Sequence, residues 1–195
     1  MSPLEPGLHV ELLDEALELE AAAQRALLDG DVDAASAGMG AAAACYRASW
    51  AAAPPRSFGR LIGMLKAAVL AGDAREAARY ARGQLGDSAD SAPSAYALAI
   101  AALVDGDDAL ATQAAERMRG GSPAFDRTAA AITAIAAGDA ARYASELSAI
   151  VASFEQREEH LTGVPIADTA LMLDALAAPR GLSALPPHSP VLPRR

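Results

Sequence analysis

The chain is expected to fold as an all-α protein: four stacked antiparallel helix hairpins followed by a ninth helix that caps the stack. Three observations predict this. Runs of alanine and leucine end four times in Gly-Asp, at Gly30-Asp31, Gly72-Asp73, Gly106-Asp107 and Gly138-Asp139. Glycine reaches the left-handed conformation that closes a helix, and the aspartate after it can accept hydrogen bonds from the free N–H groups that open the next one. The last three copies recur at about the 34-residue spacing of antiparallel helix-pair repeats, the first interval being longer. Finally, about a quarter of the residues are alanine and only 4% are aromatic, with few β-branched residues, a composition that disfavours strands. At 195 residues the chain suits one domain of ordinary size, read as a single helical-repeat domain over 1–180 with a proline-rich C-terminal tail over 181–195.

A first helix is expected from about Leu8 to Leu28. Its acidic series Glu11, Asp14, Glu15, Glu18 and Glu20 is assigned to the solvent face, and Leu12, Leu13, Ala16, Leu19, Ala23 and Leu27 to the buried stripe. Gly30-Asp31 turns it into a second helix that ends near Trp50, before Ala53-Pro54-Pro55-Arg56 breaks the pattern. Tyr46 and Trp50 stand one turn apart on one face. Ser57 is the expected N-cap of the second pair, whose first helix carries Gly59, Gly63, Ala67 and Ala71 as a ridge for close helix approach; Arg60 and Lys66 exclude a membrane-dimer reading of that spacing. Asp73 and Glu76 resemble a capping box for a helix through about Leu85.

A polar linker, Gly86-Asp87-Ser88-Ala89-Asp90-Ser91, precedes the third pair, which carries Tyr96, Leu98, Ile100 and Leu103 and stops at Gly120-Gly121. Ser122 as cap and Pro123 at the first helical position open the fourth pair. Its second helix is expected from about Ala140 to Glu159, with Leu147, Ile150, Val151 and Phe154 inward. A ninth helix over Pro165–Ala178 would bury Ile166, Ala170, Leu173 and Ala177 and cover the fourth hairpin, because an open array end needs a cover. The tail, Leu185-Pro186-Pro187-His188-Ser189-Pro190-Val191-Leu192-Pro193, cannot continue a helix and is expected either to lie extended along the body or to stay disordered.

A net charge of −9 and a pI near 4.7 argue against nucleic acid, because neutralising phosphates needs a basic surface. A basic protein partner fits that charge. Nearly every basic residue is arginine, Lys66 being the one lysine, a usage typical of a GC-rich genome. The start, Met1-Ser2-Pro3-Leu4-Glu5, lacks the features of a signal peptide, and no apolar run approaches the roughly 20 residues needed to span a bilayer, so a cytoplasmic location without membrane attachment is expected.

The sequence carries no recognisable catalytic, cofactor or metal motif. Cys45 sits in a helical pattern beside Tyr46 and Trp50 and reads as a small buried hydrophobe. Glu155, Glu158, Glu159, His160 and Asp168 gather acids around one histidine, but Gln156 and Arg157 occupy the positions that would share its helix face, leaving a solvated helix end. Asp29-Gly30-Asp31-Val32-Asp33 opens like a calcium loop, yet Ala34 and Gly40 stand where that loop requires glycine and glutamate. The chain is therefore read as a non-enzyme with no cofactor. One collective feature remains: stacking would line up the turns inside the hairpins and gather Asp29, Asp31, Asp33, Asp73, Asp105, Asp107, Asp108 and Asp139 into an acidic strip, the candidate protein-binding residues, each of which could equally be a cap or turn residue.

With Tyr96-Ala97-Leu98-Ala99 and Ala78-Arg79-Tyr80-Ala81 at small and aromatic repeat positions, residues 8 to 160 resemble the tetratricopeptide superfamily, a likeness that implies a helical array presenting a surface to proteins or peptides. The ending, Pro165-Ile166-Ala167-Asp168-Thr169-Ala170-Leu171-Met172-Leu173 through Arg180-Gly181 and Ser189-Pro190-Val191-Leu192-Pro193, resembles the closing helix and Leu-Pro tail of the forty-ninth family of immunity proteins that neutralise bacterial polymorphic toxins. The expected function is a non-catalytic intracellular protein-interaction module. The alternatives are an immunity protein that neutralises a cognate toxin and, as a minor one, a small-ligand binder or enzyme with a site inside the helical curl.

Overall fold

The computed structural model describes residues 7–86, 89–186 and 188–194. The expected leaderless start, Asp87 and Ser88 of the polar linker, and Pro187 of the tail lie outside them. Among the described residues the fold is all-α, with nine α-helices: α1 (Leu8–Asp29), α2 (Val32–Ala52), α3 (Phe58–Ala71), α4 (Arg75–Leu85), α5 (Ala92–Asp105), α6 (Asp108–Met118), α7 (Pro123–Ala137), α8 (Ala140–Glu155) and α9 (Asp168–Ala177). Helices adjacent in the chain pack on one another from α1 to α8, and α3, α5 and α7 also touch in succession. None is long and apolar enough to cross a membrane.

The four Gly-Asp dipeptides close their helices in the same way. At the first, Gly30 is left-handed (φ 82°), its N–H donates to Leu27 O, and the next N–H, from Asp31, donates to Ala26 O. This pair of bonds satisfies two carbonyls that the helix end would otherwise leave free. The equivalent pairs recur at Gly72-Asp73, Gly106-Asp107 and Gly138-Asp139. Ser122 caps α7 through Phe125 N, with Pro123 at the first turn, as its sequence predicts.

At the centre lies α5, buried continuously from Ser94 to Leu103. Its alanines let α3, α4, α6 and α7 surround it closely. Gly63 performs a similar service on α3: a Cβ there would lie 2.8 Å from the ring of Tyr46, so its bare backbone is what lets that ring lie against the helix. Gly59, expected to share this role, faces open space.

The C-terminal region departs most from expectation. α8 stops at Glu155, short of the expected Glu159. Glu155, Glu158 and Glu159 would crowd the negative end of the helix dipole, and Arg157 instead folds back with its guanidinium 3.6 Å from the centroid of the Phe154 ring. The chain then crosses to the first hairpin, where Val164 and Ile166 pack on Ala21, Leu27 and Leu28 of α1 and the Thr162 hydroxyl bonds to Gln24. Only at Asp168 does α9 begin. It touches α7 and α8, as a helix covering the fourth hairpin must, but its largest contact is with α3. The tail packs on the body: Leu182, Val191 and Leu192 are buried, and Ala167 N donates to Val191 O at 2.8 Å.

Candidate functional site

Three of the eight candidate aspartates are caps. Asp31 accepts from Ala34 N at 3.0 Å, Asp107 from Leu110 N at 3.1 Å and Asp139 from Arg142 N at 3.0 Å. Asp73 is not, which corrects the expected Asp73–Glu76 capping box. Here two residues, Asp73 and Ala74, separate the glycine from its helix where one does so elsewhere; Ala74 becomes the N-cap, and Glu76 pairs with Arg47 at 2.6 Å.

The first two turns adjoin, since the Ser36 hydroxyl donates to Ala71 O at 2.8 Å. Asp29, Asp31, Asp33 and Asp73 are therefore exposed on neighbouring turns. At the third turn Arg82 pairs with Asp105 and Asp107 (3.1 and 3.7 Å), and Arg180 with Asp108 (3.1 Å). None of the ion pairs among the described residues involves Asp29, Asp31, Asp33, Asp73 or Asp139. The turn edge is thus open acid around the first two hairpins and is locally compensated at the third.

A second cluster was not anticipated. Glu20, assigned to the solvent face, is only 4% exposed, because it stands four residues after Ala16 and three before Ala23 and so shares their buried stripe. Its carboxylate accepts from the Tyr46 hydroxyl at 2.5 Å and from Gln24 Nε2 at 3.1 Å. One turn along the same cleft, Lys66 of α3 forms an enclosed ion pair with Asp168 and donates to the Thr169 hydroxyl at 3.2 Å; the two charged side chains are 14% and 16% exposed. Residues of α1, α2, α3 and α9 thus meet in one polar node inside an alanine-rich core.

The physical state of that node follows from its surroundings. Burial pushes the Glu20 carboxyl above its ordinary range, against the opposing bond from Tyr46 and the charge of Lys66. Burial, then the Glu20 charge, raises the Tyr46 phenol well above its usual value. Burial alone would lower Lys66, but Asp168 beside it prevails and holds the ammonium above its normal range. The node can therefore anchor helices and present fixed charge to the cleft. Two small cavities flank it, of about 230 and 140 Å3, and Leu161, 82% exposed, lines both.

Cys45 is half-buried against the core rather than fully enclosed, its thiol pushed up by burial and by the neighbouring Glu15. His160 lies beyond α8 with its ring near that of Phe154, centroids 6.2 Å apart. Among the described residues, no group of three or more His, Cys, Asp or Glu side chains could hold a metal ion. Comparison of the chain with protein-family models, with curated proteins and with solved structures finds no match in any of the three.

Proposed function

We propose that this protein is a non-catalytic interaction module, a tetratricopeptide-like hairpin array that meets a basic protein partner with the turn edge of its first two hairpins. One observation carries the reading: among the described residues Asp29, Asp31, Asp33 and Asp73 are exposed on adjoining turns with no cationic side chain paired to them, while the aspartates of the third turn are matched by Arg82 and Arg180. Unmatched like charges on one edge repel one another and are relieved by a complementary partner, which they also steer during encounter. The contacts of Val164 and Ile166 with α1, and of α9 with α3, turn attention to this edge, because the chain itself occupies those inner surfaces.

A second reading, neutralisation of one basic toxin, draws support from the C-terminal stretch that resembles immunity proteins. Its two parts form one packed unit, joined where Ala167 N meets Val191 O.

The test uses the full chain as bait, beside a variant carrying Asp29→Asn, Asp31→Asn, Asp33→Asn and Asp73→Asn, at low and high salt. A direct partner whose association slows by roughly tenfold in the variant, and similarly in high salt, supports the edge. Equal rates for both proteins at low salt refute it. One tight basic toxin as that partner selects the immunity reading; several weaker partners select a general adaptor.

A further inference from the structure

A third cavity, of about 200 Å3, lies among α3, α5, α7, α8 and the start of α9. Ile62, Phe125, Ile150 and Phe154 give it apolar walls, and its polar lining includes Tyr96, Thr169, Arg127 and Arg157. Tyr96 comes from near the start of the buried stretch of α5, its ring held edge-on to Phe125 with centroids 6.0 Å apart. Its hydroxyl is buried beside that of Thr169 and makes no hydrogen bond of good geometry. Such a group is uncommon in a folded core and can take a further partner.

The charge of the cavity is opposite to that of the protein. The sequence holds 25 acidic against 16 basic side chains, yet no carboxylate lines this space. Neighbouring acids are engaged elsewhere: Asp126 accepts from Gly120 N at 2.7 Å, Glu155 from the Ser189 hydroxyl at 2.6 Å, and Asp168 is paired with Lys66. Neither Arg127 nor Arg157 has an ion-pair partner among the described residues, and Arg157 is set in place by its stacking on Phe154.

We propose that this cavity binds a small organic acid, an apolar body of about one ring or a short chain bearing one carboxylate. The size follows from comparison: an apolar cavity of about 150 Å3 is enough for benzene, whereas drug-sized ligands need upwards of roughly 300 Å3. The carboxylate follows from the lining, since a guanidinium presents paired N–H groups that match two carboxylate oxygens, and Tyr96 adds a hydroxyl donor. A neutral ligand of the same shape would fill the apolar part and leave the arginines unmatched. This site is separate from the acidic edge and stands or falls independently of it.

Benzoate is the probe, with benzamide as its neutral counterpart and inorganic phosphate as a bare anion, titrated into isotope-labelled full-length protein and followed by NMR. Benzoate is expected to shift Thr128, Ile150 and Thr169 saturably and to bind at least roughly tenfold tighter than benzamide, the scale of a charged hydrogen bond. Phosphate should leave Ile150 unmoved. Replacing Arg127→Gln and Arg157→Gln together should bring benzoate down to the level of benzamide without changing benzamide binding, and Ser153→Phe, which leaves both arginines in place, should block both compounds. Equal binding of benzoate and benzamide to the unaltered protein overturns the proposal, as does the absence of any saturable shift at these residues.

Discussion

Asp31 at the first turn and Asp168 at the start of α9 are the same side chain in opposed settings. Asp31 stands in solvent and accepts one N–H from the helix it caps, while Asp168 is enclosed with Lys66 between helices far apart in the chain. Removing an exposed carboxylate loses a local bond. Removing one member of an enclosed pair strands the other where water reaches it poorly, so the buried node is intolerant of change, whereas the exposed edge is free to vary.

The largest effect should come from breaking that node. Lys66→Met leaves Asp168 unpaired and is expected to lower the unfolding free energy by about 3–5 kcal/mol in urea denaturation. Adding Asp168→Leu should recover most of the loss, because an apolar pair of similar volume can replace a buried ion pair. A single mutant as stable as the parent would mean that the pair is open to water.

Next in size is the packing that lets Tyr46 reach Glu20. Gly63→Ala places a methyl 2.8 Å from the Tyr46 ring and should cost about 1–3 kcal/mol, whereas Gly59→Ala, facing open space, should stabilise by up to about 1 kcal/mol through helix propensity. Melting both variants side by side checks this; equal shifts would remove the distinction between the two glycines.

The two settings also respond to pH in opposite senses. Because the fold raises the carboxyl of Glu20 above its ordinary 4.5, the stability it contributes is fully present below that pH and is lost as pH rises through the raised folded value. Glu76 and Asp90 on the surface are lowered by their hydrogen bonds to Arg47 and Arg56, so their contributions are present above their ordinary values and lost as pH falls. The stability of the native protein relative to Glu20→Gln should therefore be greatest near pH 4 and decline toward pH 8. A difference that does not change with pH would place Glu20 in water.

The smallest effects belong to the edge. Asp31→Ala should cost about 1 kcal/mol for the lost cap, and Asp33→Ala, which caps nothing, should fall within about 0.5 kcal/mol of the parent. Equal losses would show that edge charge, rather than the capping bond, sets stability there.

What could be read from the sequence follows this division. The hairpins were legible because Gly-Asp closures, the Asp31, Asp107 and Asp139 caps and the Ser122-Pro123 opening are all decided within about six residues. The site was not. Glu20 meets Tyr46 across 26 positions and Lys66 meets Asp168 across 102, and no local spacing announces either pair. Two clues were present, a glutamate in register with Ala16 and Ala23 and a lone lysine in an arginine-rich chain, but each needs its distant partner before it means anything. The one-residue slip at Asp73 and the early end of α8 were missed for a related reason: in both places an arginine contact, Arg47 with Glu76 and Arg157 with Phe154, accompanies the change in the chain's path.

The return of residues 161–168 to the first hairpin changes how such an array must assemble. A simple stack of hairpins gains stability one neighbour at a time and can form from its N-terminus as it is made. Here Lys66 has no ion-pair partner until Asp168 exists, and at typical rates the 102 residues that follow it take about 5–20 s to synthesise. For that interval the nascent first two hairpins hold an unpaired ammonium and an uncovered face of α3, a state that invites either a chaperone or a wrong neighbour. Residues 161–168 thus supply the contacts that complete the first two hairpins.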